Sequence, residues 1–155
     1  MGDTKFPVGF RPKPETMLCF DIYATHHAVG QLYHPFLADL GLTYPQYLVM
    51  LVLWDSNGPT IGEIGRRIDL ESSTLTPLVK RLERQGFVVR NRDKRDERKV
   101  RVMLTAEGKA LEKPAESVPG CIVEAFGLTM EEFRYLHETL GKLRARLQAV
   151  QAVGN

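Results

Sequence analysis

Most of this chain places apolar residues at helical spacing, and one stretch switches to the two-residue period of a strand. Leu75, Leu78, Val79 and Leu82 fall at i, i+3, i+4 and i+7, which predicts a helix over 72–85 with a single buried stripe, stopped by Gly86. Val100, Val102 and Leu104 alternate, so 99–104 reads as a strand with 87–90 as its partner. The connecting residues 91–98 include no apolar side chain. Upstream, a helix opens near Pro14-Glu15 and runs to Gly41, with Pro35 expected to kink it. Thr43-Tyr44-Pro45-Gln46 has the form of a capping box and opens a very apolar helix to about Asp55, closed by Asn57-Gly58. Thr60-Ile61-Gly62-Glu63 repeats the box for a short helix with Ile61, Ile64 and Ile68 inward. Thr105 can cap a fifth helix, which Pro114 and Pro119-Gly120 must bend or break. Thr129-Met130-Glu131-Glu132 opens a last helix to about Ala149, with Phe133, Leu136, Leu140, Leu143 and Leu147 along one face. Residues 1–13 read as an arm, because Pro7, Gly9 and Pro12 interrupt any period.

Two short helices, a tight turn and a hairpin with a charged loop make a winged helix-turn-helix over 42–104. The fold class is therefore mostly α with a small β-hairpin wing (α+β). The flanking helices, 14–41 and 105–152, carry apolar faces outside this module, and their expected use is a homodimer interface.

Charge sharpens the picture. Residues 60–104 hold 12 Lys and Arg against 7 Asp and Glu, while the remainder holds 9 against 12. A basic module inside an acidic frame suits a polyanionic partner. On the fourth helix, Ser73, Thr74, Thr76, Lys80, Arg81 and Arg84 combine small polar residues that allow close approach with basic ones that reach base edges or phosphates. In the hairpin loop, Arg92, Lys94, Arg95 and Arg98 could enter a minor groove, and Asp96 is close enough to Arg98 to orient its guanidinium. Arg66 and Arg67 read equally as phosphate clamps or surface residues. The expected partner is double-stranded DNA, as a palindromic operator with half-sites about one turn (~10 bp) apart.

Hydrophobic content of 43% and charged content of 26% are ordinary globular values. The longest apolar run, 47–54, is too short to cross a bilayer, and 1–14 has no apolar core of a signal peptide, so a cytoplasmic protein without membrane contact is expected. Cys19 and Cys121 form neither a zinc pattern nor a CxxC pair, and no metal or cofactor is expected.

Cys19 stands early in the first helix, where N-terminal amides favour an anion. Tyr23 follows one turn on, and Cys19, His26 and Tyr33 share a heptad stripe. A thiol attacks peroxide only as thiolate, and phenol hydroxyls can stabilise that thiolate. Composition alone favours the other reading, in which Cys19 is a small buried hydrophobe and the tyrosines fill the dimer core.

The segment from Leu70 to Glu83 and the wing from Arg92 to Arg98 resemble the MarR family of dimeric winged-helix regulators, over about residues 15–150. More narrowly, the chain resembles the organic-hydroperoxide-responsive OhrR group. That match rests on Leu18-Cys19-Phe20, on the run from Leu40 to Trp54, and on Tyr23, Tyr33 and Tyr44 at 4, 14 and 25 positions after the cysteine. The resemblance implies that Cys19 is the peroxidatic cysteine and that Tyr33 and Tyr44 reach it across the dimer interface. It further implies that Cys121, a second cysteine late in the fifth helix, forms an intersubunit disulfide with Cys19. The expected function is a repressor that binds its operator while reduced and leaves it after oxidation by an organic hydroperoxide. Three rivals stand beside it. One is a MarR-type repressor released by a small phenolic ligand. Another is a metal sensor using Cys19, His26, His27 and His34, although His26 and His27 point about 100° apart. The last is a thiol peroxidase, for which no active-site scaffold is visible; a non-enzyme is expected.

Overall fold

The computed structural model describes residues 11–56, 58–93 and 96–153, in two compact units, 1–116 and 117–155. The arm over 1–10, Asn57 of the helix-closing pair, and wing residues Lys94 and Arg95 lie outside the described residues.

In the first unit a 3-10 turn, Pro14–Thr16, precedes α1, Leu18–Ala38. The single helix expected from Pro14 is divided because Met17 is extended, at φ −107° and ψ 118°. Helix α1 continues through Pro35. Gly41, at φ 64°, turns the chain into α2, Tyr44–Trp54. The expected box forms: the Thr43 backbone N–H donates to Gln46 Oε1 at 2.9 Å. Helix α2 buries Gln46, Tyr47, Val49, Met50, Val52 and Leu53 and packs against α1, α3 and α4. Its continuous apolar run thus serves as the centre of a small core.

Helix α3, Ile61–Ile68, starts at the second box, in which the Glu63 N–H donates to Thr60 Oγ1 at 3.2 Å and Glu63 Oε2 accepts from the Thr60 N–H at 2.7 Å. Asp69 adopts the left-handed conformation, φ 57°, and the Leu70 N–H returns to Gly65 O at 2.9 Å. A Cβ on Gly65 would lie 2.5 Å from Leu70 O, so the turn between the two DNA-type helices requires glycine there. Helix α4, Ser72–Arg84, follows, with Leu75, Val79 and Leu82 buried. Strands β1, Val88–Arg92, and β2, Val100–Leu104, pair antiparallel with Val88 opposite Leu104 and Arg92 opposite Val100. The strand reaches two residues beyond the expected 87–90, because Asn91 and Arg92 extend the ladder. Burial on β2 alternates, with Val102 fully buried.

The expected break in the fifth helix gives three pieces. Helices α5, Ala106–Ala110, and α6, Glu112–Ala115, close the first unit. The Trp54 indole N–H donates to Gly108 O at 2.9 Å, tying α5 to the end of α2. The second unit comprises α7, Val118–Phe126, and α8, Met130–Val153. Helix α8 starts at the third box, with the Thr129 N–H donating to Glu132 Oε2 at 2.8 Å. Leu136, Leu140 and Leu147 of its apolar face are exposed. No helix among the described residues is long and apolar enough to cross a membrane.

Candidate nucleic-acid interface and thiol site

Helix α4 turns its buried stripe inward and so presents Ser73, Thr74, Lys80, Arg81 and Arg84 to solvent, with Thr76 half-buried. The Thr76 hydroxyl donates to Ser72 O at 2.7 Å, which leaves its oxygen as an acceptor. Glu83 turns the other way: Arg90 donates to its carboxylate from Nε at 2.7 Å and from the backbone at 3.1 Å, and these bonds hold the carboxyl below the usual range. That pair clamps α4 to β1.

The wing is braced from beneath. Asp93 is buried; its Oδ2 pairs with the Arg101 guanidinium and its Oδ1 accepts the Asp96 N–H at 3.1 Å. Arg101 also donates to Gly58 O at 2.8 Å, and the Val102 N–H to Pro59 O at 2.9 Å, so the α2–α3 connection runs beside β2. On this base, Asp96 Oδ1 accepts from Arg98 Nε at 3.1 Å and from the Arg98 backbone at 3.2 Å. Arg98 beside it holds the Asp96 carboxyl below its ordinary range. The Arg98 side chain itself is 92% exposed. A guanidinium held at one end and solvated at the other is aimed outward with part of its ordering cost already met. Between wing and helices lies a cleft of about 680 Å³, lined by Glu63, Arg66, Thr76, Asp96, Arg98 and Arg101 among others. Arg92 is exposed at the end of the β1 ladder. Arg67, by contrast, is engaged on its own protein, donating to Asp55 and Ser56, both at 2.7 Å.

If this face meets duplex DNA, Arg98→Ala should weaken the binding, most on duplexes with A·T-rich flanks, by about 1–3 kcal/mol. Competition titrations on A·T- and G·C-flanked duplexes measure it. Equal losses on both would assign Arg98 to phosphate alone.

The thiol candidate lies at the start of the first unit's long helix. Cys19 is free and exposed in the first turn of α1. Tyr23, also exposed, packs edge-on against His27 at 4.6 Å between ring centroids. Tyr33 and Tyr44 are brought together, centroids 4.4 Å apart, with Tyr47 at 6.1 Å from Tyr33. Burial pushes all three phenols above their ordinary value, and neighbouring phenols add to the shift of Tyr33 and Tyr47, so each remains a protonated donor at neutral pH. Cys19 and Tyr33 are 14 positions apart on one helix, about 21 Å along its axis. Tyr33, and Tyr44 stacked on it, therefore cannot touch their own chain's Cys19. Cys121, half-buried and free, lies in α7 of the second unit. Among the described residues, no group of three or more His, Cys, Asp or Glu is placed to hold a metal ion.

Sequence reasoning missed Tyr47, Asp93 and Arg101. Tyr47 is 2% exposed, and its hydroxyl has no hydrogen-bond partner among the described residues. An unsatisfied buried hydroxyl costs about 1–3 kcal/mol, whereas phenylalanine fills the same space without that cost. Tyr47→Phe should therefore leave the reduced protein as stable or raise its stability by about 1 kcal/mol. A clear loss in urea unfolding would mean the hydroxyl is bonded.

A model of the family described as transcriptional regulator SarA/Rot matches residues 31–113. The chain is 46% identical over 135 residues to the HTH-type transcriptional regulator TtmR of Methylorubrum extorquens, covering 87% of this chain and 69% of that one. It is 39% identical over 128 residues to the organic hydroperoxide resistance transcriptional regulator of Bacillus subtilis, covering 83% and 87%. Among solved structures, AbfR of Staphylococcus epidermidis is similar. Reduced AbfR bound to DNA superposes with a TM-score of 0.70 at 38% identity, covering 84% of this chain and 91% of that one. The same protein has been solved overoxidised on DNA, at a TM-score of 0.69, and in a disulfide-formed state, at 0.60.

Proposed function

The chain belongs to the SarA/Rot family of MarR-like winged-helix transcriptional regulators, which bind DNA, and on that premise we propose that it is a homodimeric repressor released from its operator by organic hydroperoxides. The observation that carries this reading is the placement of thiol and phenols. An exposed Cys19 at the start of α1 and a paired Tyr33 and Tyr44 about 21 Å further along meet only if a second copy runs antiparallel to the first. The exposed apolar residues Leu18, Phe20 and Ile22 of α1, and Leu136, Leu140 and Leu147 of α8, are the surface such a dimer would bury, at about 1.5–3 kcal/mol for each side chain fully covered.

The chemistry is as follows. The Cys19 thiolate attacks the terminal oxygen of ROOH, the O–O bond breaks, and the alkoxide takes a proton and leaves as alcohol. Tyr33 and Tyr44, protonated, donate to the thiolate and to the departing oxygen. The resulting sulfenic acid is attacked by Cys121 of the partner subunit; a disulfide forms and water leaves. This cycle needs a reducing compartment at rest, as the cytoplasm provides. The regulator from Bacillus subtilis is named for organic hydroperoxide resistance, which supports the oxidant class. AbfR is known reduced on DNA, overoxidised on DNA, and disulfide-formed, which supports giving the disulfide, not the first oxidation, the releasing role. On DNA, α4 would enter successive major grooves of an inverted repeat, with Ser73, Thr74, Thr76, Lys80, Arg81 and Arg84 as its reading face. Arg92, Lys94, Arg95 and Arg98 of the wing would follow the flanking groove.

The test is operator titration by purified protein, reduced and after stoichiometric cumene hydroperoxide, with stoichiometry measured at saturation. Two chains per inverted repeat, loss of binding on oxidation and recovery with dithiothreitol are expected. One chain per duplex, or binding indifferent to hydroperoxide, sinks the proposal.

A further inference from the structure

Three segments meet through two side-chain amides. Gln46, on the first turn of α2, is 4% exposed although polar. Its Oε1 accepts from the Thr43 N–H at 2.9 Å and from the Thr43 hydroxyl at 3.0 Å. Its Nε2 donates to Gln85 Oε1 at 2.8 Å. Gln85 is the residue that ends α4, its own N–H bonded to Arg81 O at 3.0 Å. Its Nε2 donates to Gly41 O at 2.8 Å, in the turn that joins α1 to α2. The amide chain thus runs from the turn carrying Tyr44 to the last turn of α4, where Arg81 and Arg84 stand.

An amide both accepts and donates, so two in series fix direction at both ends. A glutamine pair buried at one end, with both carbonyl oxygens accepting and each NH2 donating, holds two segments in register more narrowly than apolar packing does. Gln46 meets every demand of this geometry: a cap acceptor on one side and a donor on the other. Apolar α2–α4 contacts would stabilise the same packing without it.

We propose that Gln46 and Gln85 are positioning residues that couple the tyrosine-bearing turn to the recognition helix, so that displacement of Tyr44 re-aims α4. Tyr44 directly follows Thr43, the cap that Gln46 holds. A shift of the phenol moves the cap, the cap moves Gln46, and Gln85 carries the shift to the end of the reading face. The regulatory consequence rests on the reading of Tyr44 as a partner of the sensing thiol; the mechanical link does not.

Two measurements on Gln85→Met, and on the double variant Gln46→Met/Gln85→Met that leaves no buried amide unpaired, test it. The first needs no peroxide. Tyr44→Ala should speed amide exchange at Gln85, Gly86 and Phe87 by about tenfold in the parent and add nothing in Gln85→Met, which already exchanges fast. The second is the ratio of operator Kd values for oxidised and reduced protein. It should fall by about tenfold or more in both variants, whatever their reduced affinity, while Cys19 oxidation measured by mass spectrometry proceeds as in the parent. Exchange at 85–87 that ignores Tyr44→Ala in the parent overturns the relay, and so does an unchanged Kd ratio in both variants. If the parent shows no hydroperoxide effect on Kd, the reading of the thiol has failed, and the exchange measurement still decides the relay.

Discussion

Cys19→Ser protein should stay on its operator in the presence of cumene hydroperoxide. Serine is nearly the size of cysteine, the position is exposed, and it belongs to α1 rather than to α4 or the wing, so the reduced affinity should hold. The hydroxyl is no peroxide nucleophile at neutral pH, so neither sulfenic acid nor disulfide can form. Where oxidised wild type loses about 4 kcal/mol of operator binding, roughly a thousandfold, the variant should remain within about threefold of its reduced Kd. Gel shift with and without oxidant measures this. Normal release of Cys19→Ser would place the sensing thiol elsewhere.

Cys121→Ser should separate oxidation from release. After brief, stoichiometric hydroperoxide, wild type should run as a covalent dimer on a non-reducing gel and return to monomer with dithiothreitol. In the variant the dimer band should vanish while Cys19 is still oxidised. Without a resolving thiol, the sulfenic acid climbs to sulfinic acid in excess peroxide, and dithiothreitol no longer restores it. If the disulfide is the releasing step, this overoxidised variant should keep most of its operator affinity. A covalent dimer persisting in Cys121→Ser would mean that Cys19 pairs with its symmetry mate. That outcome would remove the two-cysteine scheme and leave Cys19 as the sensor.

The helices and the hairpin were legible because their determinants are local. Thr43 with Gln46, Thr60 with Glu63 and Thr129 with Glu132 each close a bond three residues away, and all three form. The i, i+3, i+4 stripe of α4 and the alternation of β2 likewise follow from backbone periods that hold in any fold. From the stripe follows the exposed face, and with it the basic and small polar residues offered to DNA. The exact limits were less legible: Met17 is extended and divides the first helix from its leading turn, and the β ladder continues to Arg92.

What the chain order could not reveal depends on partners far away in sequence. Arg66 and Arg67 are adjacent and alike, yet Arg67 is held by Asp55 while Arg66 lines the cleft beside the wing. Asp93 looks like one charge among many in a solvated loop, but packing buries it and pairs it with Arg101. Gln46 and Gln85 are 39 positions apart, and Gln85 and Gly41 are 44 apart. Sequence by itself determined which segments are helical, though not their limits, which stripe is apolar, where the charge lies and that two thiols and a set of tyrosines are present. Tertiary structure decided which charges are spent on the protein and which remain for a partner. It also gathered Tyr33, Tyr44 and Tyr47 about 21 Å along α1 from Cys19. The reason is physical: a backbone period is set by bonds to near neighbours, whereas the fate of a polar side chain is set by whichever distant group packing brings within 3 Å of it.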